Sequence, residues 1–380
     1  MKHYDSPGSP GLKRLAIYIL LLALAFKIAF ILYSGERVYY DVNLSITHGK
    51  ALFDKPGNQV RLILPGVKTY VGSIAWYKHY EAFGVYGLKA YNVAAFALLF
   101  ALQYSIGRKY FPNRVTAAAL FIFAFYVGTN LNVAAGEQDD MTAALFFTLG
   151  VALYAYGRGA FLAALVMSAG VLFKYTAGIY ATGFIIYLIY TRDIRQLLLA
   201  LAGLTLPFLC LNLFTGFSSM GKLVRISNLK RNIFSPENLF HYKFFSTGML
   251  LFLLLPAWGV LRDRSRPNVL LFCLSSVYIV FAVVTFNTYS SGFHMMQSVL
   301  FSSFLVAQVL FMGTYPGGGK AGRIFRVSVL VLYLLVTTSI TLRNLSRDTI
   351  PVNQYQFRYK KLPHNPFIGP GDPVKQHPMP

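Results

Sequence analysis

The chain has 380 residues, of which 56% are hydrophobic and 13% charged, with a formal net charge of +22 at pH 7. A soluble domain carries about 25% charged residues, so this composition, with apolar runs recurring from end to end, excludes an ordinary soluble enzyme and predicts a polytopic membrane protein. The basic excess is spread over short loops between apolar runs, as the positive-inside rule requires, and so no nucleic-acid partner is expected. Basic residues beyond that need suit phosphate groups, on lipid headgroups or on a phosphorylated substrate.

The first apolar run, Leu15–Tyr33, follows Lys13 and Arg14 and lacks a small-residue cleavage site, so it reads as a retained signal anchor. Further candidate spans are Tyr86–Ile106, Val115–Leu131, Met141–Tyr156, Ala160–Phe173, Ala177–Tyr190, Leu197–Phe214, Thr247–Leu261, Val269–Phe286, Met295–Met312 and Val327–Leu342. These predict an all-α fold of roughly ten to twelve helices. Residues 1–342 form a single membrane unit and residues 343–380 a polar tail. The two short runs on either side of Lys174 read as broken or re-entrant. Cys210 and Cys273 lie inside apolar runs and read as small core residues.

With the N-terminus in the cytoplasm, the inner loops collect Arg108, Lys109, Arg114, Arg158, Arg192, Arg195, Arg262, Arg264, Arg266, Lys320, Arg323 and Arg326, opposed by few acids. The opposite side then holds the long loops Ser34–Val85 and Gly216–Ser246 and a shorter one, Asn287–His294. The side of the C-terminal tail depends on whether the number of spans is odd or even. Gly317-Gly318-Gly319-Lys320 lacks the spacing of a phosphate-binding loop and reads as a cytoplasmic turn. No inverted repeat is visible, and polar residues near the midplane are few beyond Asn212 and Gln308, which argues against a transporter.

Two acidic clusters meet the outer face: Tyr39-Tyr40-Asp41 and Glu137-Gln138-Asp139-Asp140. Ionisable groups at a bilayer boundary are costly and mark pathways or reaction sites. Asp41 precedes a stretch, Leu44–Phe53, that reads as a short interfacial helix. Asp41 therefore suits either a helix cap or a general base that takes a proton from a hydroxyl. Tyr70, Trp76, Tyr77 and Tyr80 in the stretch Gly66–Phe83 read first as an aromatic interface belt.

In motif order the chain resembles the GT-C superfamily of integral-membrane glycosyltransferases, mainly over its first half. The residues that carry the resemblance are Asp41 followed by Gly49-Lys50-Ala51-Leu52-Phe53-Asp54-Lys55-Pro56-Gly57, then Leu64-Pro65-Gly66. Phe83-Gly84-Val85-Tyr86-Gly87 with Asn92, the pair Asp139-Asp140 and Lys174-Tyr175-Thr176-Ala177 continue it. The mannosyltransferase-like branch is the most similar. Many relatives have Pro-Pro where Leu64-Pro65 stands and a paired acid where Tyr40-Asp41 has one, so these residues allow a divalent metal without requiring it, and no other cofactor is expected.

The resemblance implies transfer of a hexose, mannose in that branch, from a polyprenyl-phosphate donor to a glycolipid or glycan acceptor at the outer or luminal face, with inversion and with Asp41 as base. Tyr40, His48, Glu137, Asp139 and Asp140 are then candidate acceptor or sugar contacts, the last three also suiting the positive end of a helix dipole. Lys174 either snorkels to the surface or binds the donor phosphate. Lys222, Arg225, Lys230 and Arg231 form a basic loop on the side where positive charge is not expected, suited to a leaving phosphate. His294 is a further phosphate or hydroxyl contact or a structural histidine. The rival readings are a lipid or saccharide transporter and a lipid-linked polysaccharide polymerase or ligase.

Overall fold

The computed structural model describes residues 10–39, 42–43, 45–47, 49–50, 70–136, 138–174, 177–214, 248–285, 291–312 and 320–351. They form an all-α bundle with one two-stranded ribbon. The helices are α1 (Pro10–Ser34), α2 (Tyr70–Tyr110), α3 (Asn113–Ala124), α4 (Val127–Ala135), α5 (Gln138–Ala155), α6 (Ala160–Phe173) and α7 (Ala177–Tyr190). They continue as α8 (Ile194–Phe214), α9 (Met249–Arg262), α10 (Arg266–Thr285), α11 (Ser291–Met312) and α12 (Lys320–Asp348). Three of them, over Pro10–Ser34, Val71–Tyr110 and Ile324–Arg347, are long and apolar enough to cross a membrane alone, and the bent pair α3 and α4 qualifies together. The remaining apolar helices are shorter and complete the bundle by packing.

The predicted runs coincide closely with these helices, with informative departures. Helix α1 presents one stripe, Leu12, Ala16, Ile19, Ala23, Lys27 and Phe30, to the bundle. Leu15, Tyr18, Leu22 and Leu32 stay exposed on its other face, as a helix edged by lipid requires. Helix α2 starts before the predicted span and turns at Gly84, whose φ of 64° and ψ of −165° are open to glycine and strained for any residue with a Cβ. The stretch Val115–Leu131, predicted as one span, is two helices bent by 47°. Helical residues in the first loop include Val42 and Asn43, ahead of the predicted Leu44. Cys210 is exposed rather than core, and Cys273 is buried.

The break between α3 and α4 is held by a buried lysine inside the apolar run of α1. Lys27 Nζ donates to the Ala124 carbonyl at 2.8 Å and to Asn130 Oδ1 at 2.9 Å, and lies 4.1 Å from the centre of the Phe96 ring. Asn130 Nδ2 in turn reaches the Phe125 carbonyl at 3.3 Å, and Tyr333 Oη on α12 reaches the Ile122 carbonyl at 2.8 Å. Carbonyls freed where a helix ends inside an apolar phase need such partners. The expectation of few midplane polar residues is thereby corrected, because Lys27, Gln103, Asn130 and Asn132 are all buried in the bundle. Gln308 instead lies near one end, 3.3 Å from Asp263 Oδ2.

The helices place two chemically distinct ends. Arg108, Lys109, Arg158, Arg192 and Arg262 mark a basic end, where Lys109 Nζ meets the Ala155 carbonyl and Gln196 Oε1 accepts from the Ala160 amide at 2.9 Å. The other end holds Ser34, Asp139, Asp140 and Lys174. There β1 (Arg37–Tyr39) pairs antiparallel with β2 (Thr349–Pro351), Val38 opposite Ile350. Helix α12 thus continues past Leu342 to Asp348, and the start of the tail lies at the end that carries the first loop. A second apolar cluster, including Phe30, Val38, Val42, Ile46, Tyr77, Leu131 and Leu345, seals that end.

Close helix packing rests on small residues, which let backbones approach where apolar burial between helices offers little in lipid. A Cβ at Gly150 of α5 would lie 2.5 Å from the Ala163 carbonyl of α6, and one at Gly203 of α8 would lie 2.5 Å from the Phe161 carbonyl of α6. Gly150→Val is therefore expected to lower the thermal unfolding midpoint in detergent by several degrees and to broaden the size-exclusion peak. Gly178→Ala, which meets nothing within 4 Å, serves as the tolerated control. Equal stability of both variants would show that α5 and α6 are not in the close contact described.

Candidate functional site

Helix α4 ends at Gly136, which takes the left-handed conformation (φ 81°) that caps a helix and reverses the chain. Helix α5 then opens with Asp139 and Asp140 in its first turn, where the helix dipole favours carboxylates. Helix α6 packs antiparallel to α5 and ends at Phe173, so that Lys174, in extended conformation after its last turn, meets the dipole's negative end. The two helix ends bring Lys174 Nζ to 2.6 Å from Asp140 Oδ1, with the side chains 1% and 9% exposed. Asp139 is held separately: Trp76 Nε1 donates to Oδ1 at 2.5 Å, and Ser45 Oγ to Oδ2 at 3.3 Å.

Aromatic rings enclose this cluster. Trp76 packs on Tyr91 and Phe173, with ring centroids 5.1 and 5.9 Å away, and Phe146 stacks on Phe173. Tyr91 Oη and Thr142 Oγ1 lie 2.6 Å apart. Behind it, Lys89 Nζ donates to Ser34 Oγ at 2.8 Å and to the Gly35 carbonyl at 2.6 Å, while Ser34 Oγ reaches the Ala134 carbonyl at 3.0 Å. These bonds tie the end of α1, the body of α2 and the end of α4 into one frame. At this end of the bundle several buried polar atoms have no hydrogen-bond partner among the described residues: both amide atoms of Asn43, Ser73 Oγ, His79 Nε2 and Gln138 Nε2. Buried polar groups are nearly always satisfied, so such a cluster suits hydroxyl-rich substrates.

Of the residues singled out in the sequence, Asp139, Asp140 and Lys174 come together. Lys174 is buried and ion-paired rather than snorkelled, which corrects one of its two readings; the nearest acid in space, Asp140, is far from it in sequence. Tyr40, Asp41, His48, Glu137, Lys222, Arg225, Lys230 and Arg231 lie outside the described residues. His294 falls in the first turn of α11, with its side chain outside the description. Trp76, read as part of an interface belt, is instead 5% exposed and bonded to Asp139. Nothing in the sequence distinguished its indole from those of an interface belt. Ser45, Asn43 and His79 carried no signal either. Among the described residues, no group of three or more His, Cys, Asp or Glu side chains is arranged to hold a metal ion.

Removing one partner of a buried ion pair leaves an uncompensated charge, at a cost of about 3–5 kcal/mol. Lys174→Met and Asp140→Asn are therefore each expected to lower stability strongly, and the double variant to recover part of the loss. A double-mutant cycle on thermal unfolding in detergent checks this, and additive effects would show that the pair does not form.

No protein-family model matches the sequence, and no curated protein does. Among solved structures, the chain is similar to the crystal structure of ArnT from Cupriavidus metallidurans bound to undecaprenyl phosphate. That likeness has a TM-score of 0.56 at 13% identity, covering 89% of this chain and 76% of that one. The apo form of the same protein gives a TM-score of 0.53 at 13% identity, with 87% and 74% covered. At such identity the likeness is one of fold: the chain has an all-α, polytopic membrane-protein architecture of the kind seen in that structure.

Proposed function

We propose that the chain is a membrane glycosyltransferase that moves a hexose, with mannose the first sugar to test, from a polyprenyl-phosphate donor to a glycolipid or glycan acceptor at the extracytoplasmic face. The observation that carries this reading is the enclosed Asp139, Asp140 and Lys174 cluster, set at the bundle end that the first loop caps. It stands in a fold shared with a protein whose structure holds undecaprenyl phosphate. A groove of about 340 Å³ between α6, α7 and α8 adds support. Its wall residues Val171 and Gly178 stand within about one helical turn of Lys174 in sequence, and its largely apolar lining suits an isoprenoid chain.

In this mechanism Asp41 takes the proton of an acceptor hydroxyl, whose oxygen attacks the anomeric carbon. The bond from that carbon to the phosphate oxygen breaks, its electron pair leaves on the polyprenyl phosphate, and the configuration inverts. Asp41 lies in sequence between Tyr39, two positions before it, and Val42, the next residue, both buried in the apolar cluster that seals the site end. Arg225, Lys230 and Arg231 offset the charge that develops on the leaving phosphate. His294 is a further candidate contact to it. Lys174 contributes there by sharing its charge between Asp140 and the donor. Asp139, with Tyr40, His48 and Glu137 as further candidates, orients sugar or acceptor hydroxyls, and Trp76 offers a ring face. A transporter reading would draw on the buried Lys27, but its ammonium is taken up by the α3–α4 break.

Purified protein in vesicles, given radiolabelled polyprenyl-phosphate mannose, glucose or aminosugar with a glycolipid extract, is expected to form a labelled product and release polyprenyl phosphate. Asp41→Asn is expected to reduce turnover by roughly 10²–10⁴-fold, the usual contribution of a general base, while preserving the melting profile. Transfer at a normal rate by this variant would reject the base, and flux of label without transfer would reject the enzyme.

Sidedness is open to a separate measurement. In a background without Cys210 and Cys273, Asn58→Cys is expected to react with an impermeant thiol reagent applied to intact cells. Ser265→Cys, beside Arg264 and Arg266 at the basic end, is expected to be protected until the membrane is opened. The reverse pattern would move the site to the cytoplasmic face.

A further inference from the structure

The basic end of the bundle holds a second cleft, of about 640 Å³, between α1, α3, α11 and α12. We propose that it is a binding site for an anionic glycerophospholipid. Its walls are largely apolar, with Tyr18 and Leu22 from α1, Phe121 from α3 and Leu330 from α12, and both Arg114 and Arg326 line it. Arg114 stands in the first turn of α3, whose positive dipole end also favours an anion. Arg326 lies over Phe311, its guanidinium 5.5 Å from the ring centre, and is thereby held against the cleft wall.

Neither arginine has a carboxylate partner among the described residues. The two acids described at this end are engaged elsewhere: Asp193 caps the Gln196 amide at 3.0 Å, and Asp263 accepts from Asn268 at 3.0 Å and from Gln308 at 3.3 Å. Two guanidinium groups beside an apolar cleft match a phosphate with attached acyl chains, because arginine's planar fork grips phosphate oxygens while the chains fill the cleft. Basic pockets between membrane helices on the cytoplasmic side recognise anionic headgroups in this way.

The cleft is separate from the acidic site. Tyr18 and Ser34 stand 16 residues apart on α1, a rise of about 24 Å at 1.5 Å per residue. The donor lipid of the proposed reaction belongs to the far end, so this occupant is a membrane phospholipid and the inference does not depend on the glycosyltransferase reading.

Full-length protein in phosphatidylcholine nanodiscs is titrated with phosphatidylglycerol and, in parallel, with more phosphatidylcholine, and retained lipid is counted by native mass spectrometry. Wild type is expected to retain phosphatidylglycerol in preference. Arg114→Gln/Arg326→Gln is expected to weaken that retention by about tenfold or more, as loss of charge-assisted contacts implies. Arg114→Lys/Arg326→Lys, which keeps charge and guards against misfolding as the cause, is expected to retain part of it. Arg158→Gln, an exposed arginine at the same end away from the cleft, is expected to change nothing. Equal retention of both lipids, or an equal loss in Arg158→Gln, would overturn the site in favour of diffuse attraction. Preference for phosphatidylglycerol that arises only after residues 1–9 are removed would also overturn it, by making the chain's own N-terminal segment the occupant.

Discussion

The architecture depends on a helix that stops inside the apolar phase. Where α3 gives way to α4, the carbonyls of Ala124 and Phe125 lose their helical donors, and no water is at hand to replace them. Lys27 from α1 and Asn130 from α4 supply the missing hydrogen bonds. The ammonium is costly to bury, but at a helix C-terminus with two oxygens and the Phe96 face around it the cost is offset. Because this break sets the direction of α4, it also sets where Gly136 reverses the chain and where α5 begins. The acidic site stands at the end of that chain of consequences.

At the site itself, electrostatics follows from helix ends before any side chain is considered. Asp140 stands at the positive end of α5 and Lys174 at the negative end of α6, so each charge is favoured where it sits and the antiparallel packing of the two helices makes them neighbours. Small residues make that packing possible, since Gly150 and Gly170 of the same pair admit the facing backbone. Such an ion pair contributes little net stability compared with an apolar pair, but removing either partner would leave a buried charge uncompensated. Trp76 then covers Asp139 with an indole that both donates a hydrogen bond and excludes solvent. The first-loop turns and the β1–β2 ribbon close the same end through apolar contacts.

The two ends of the bundle divide the chemistry. One gathers enclosed acids, aromatic rings and, among the described residues, unpartnered hydroxyl and amide groups, and it is there that sugar binding is proposed. The other gathers arginines beside an apolar cleft that have no carboxylate partner among the described residues, which is why a lipid phosphate is proposed there. A lipid-linked substrate suits a protein built in this way, since its tail stays among helices while its head reaches a polar pocket.

How much of this was legible in the sequence follows from the range of each interaction. The helices were legible because an apolar run is a local property of the sequence; Ala160–Phe173 and Ala177–Tyr190 coincide with their predicted runs although each is too short to cross a membrane alone. Asp139, Asp140 and Lys174 stood out because charge beside an apolar run is rare. Their pairing was not legible, since it needs two helices to run antiparallel in one register. The role of Trp76 was hidden because an aromatic residue at an interface looks the same whether it faces lipid or an acid. Lys27 was hidden inside a run whose apolar average swallowed one charge, and the bend it holds carries neither proline nor glycine at Phe125-Tyr126. The side of the tail, undecidable by counting spans, was settled by three residues of strand pairing. Local composition by itself determined which segments form apolar helices and which charges are conspicuous; only the tertiary structure decided which of those charges meet, because that depends on helix direction and register, which no single segment encodes.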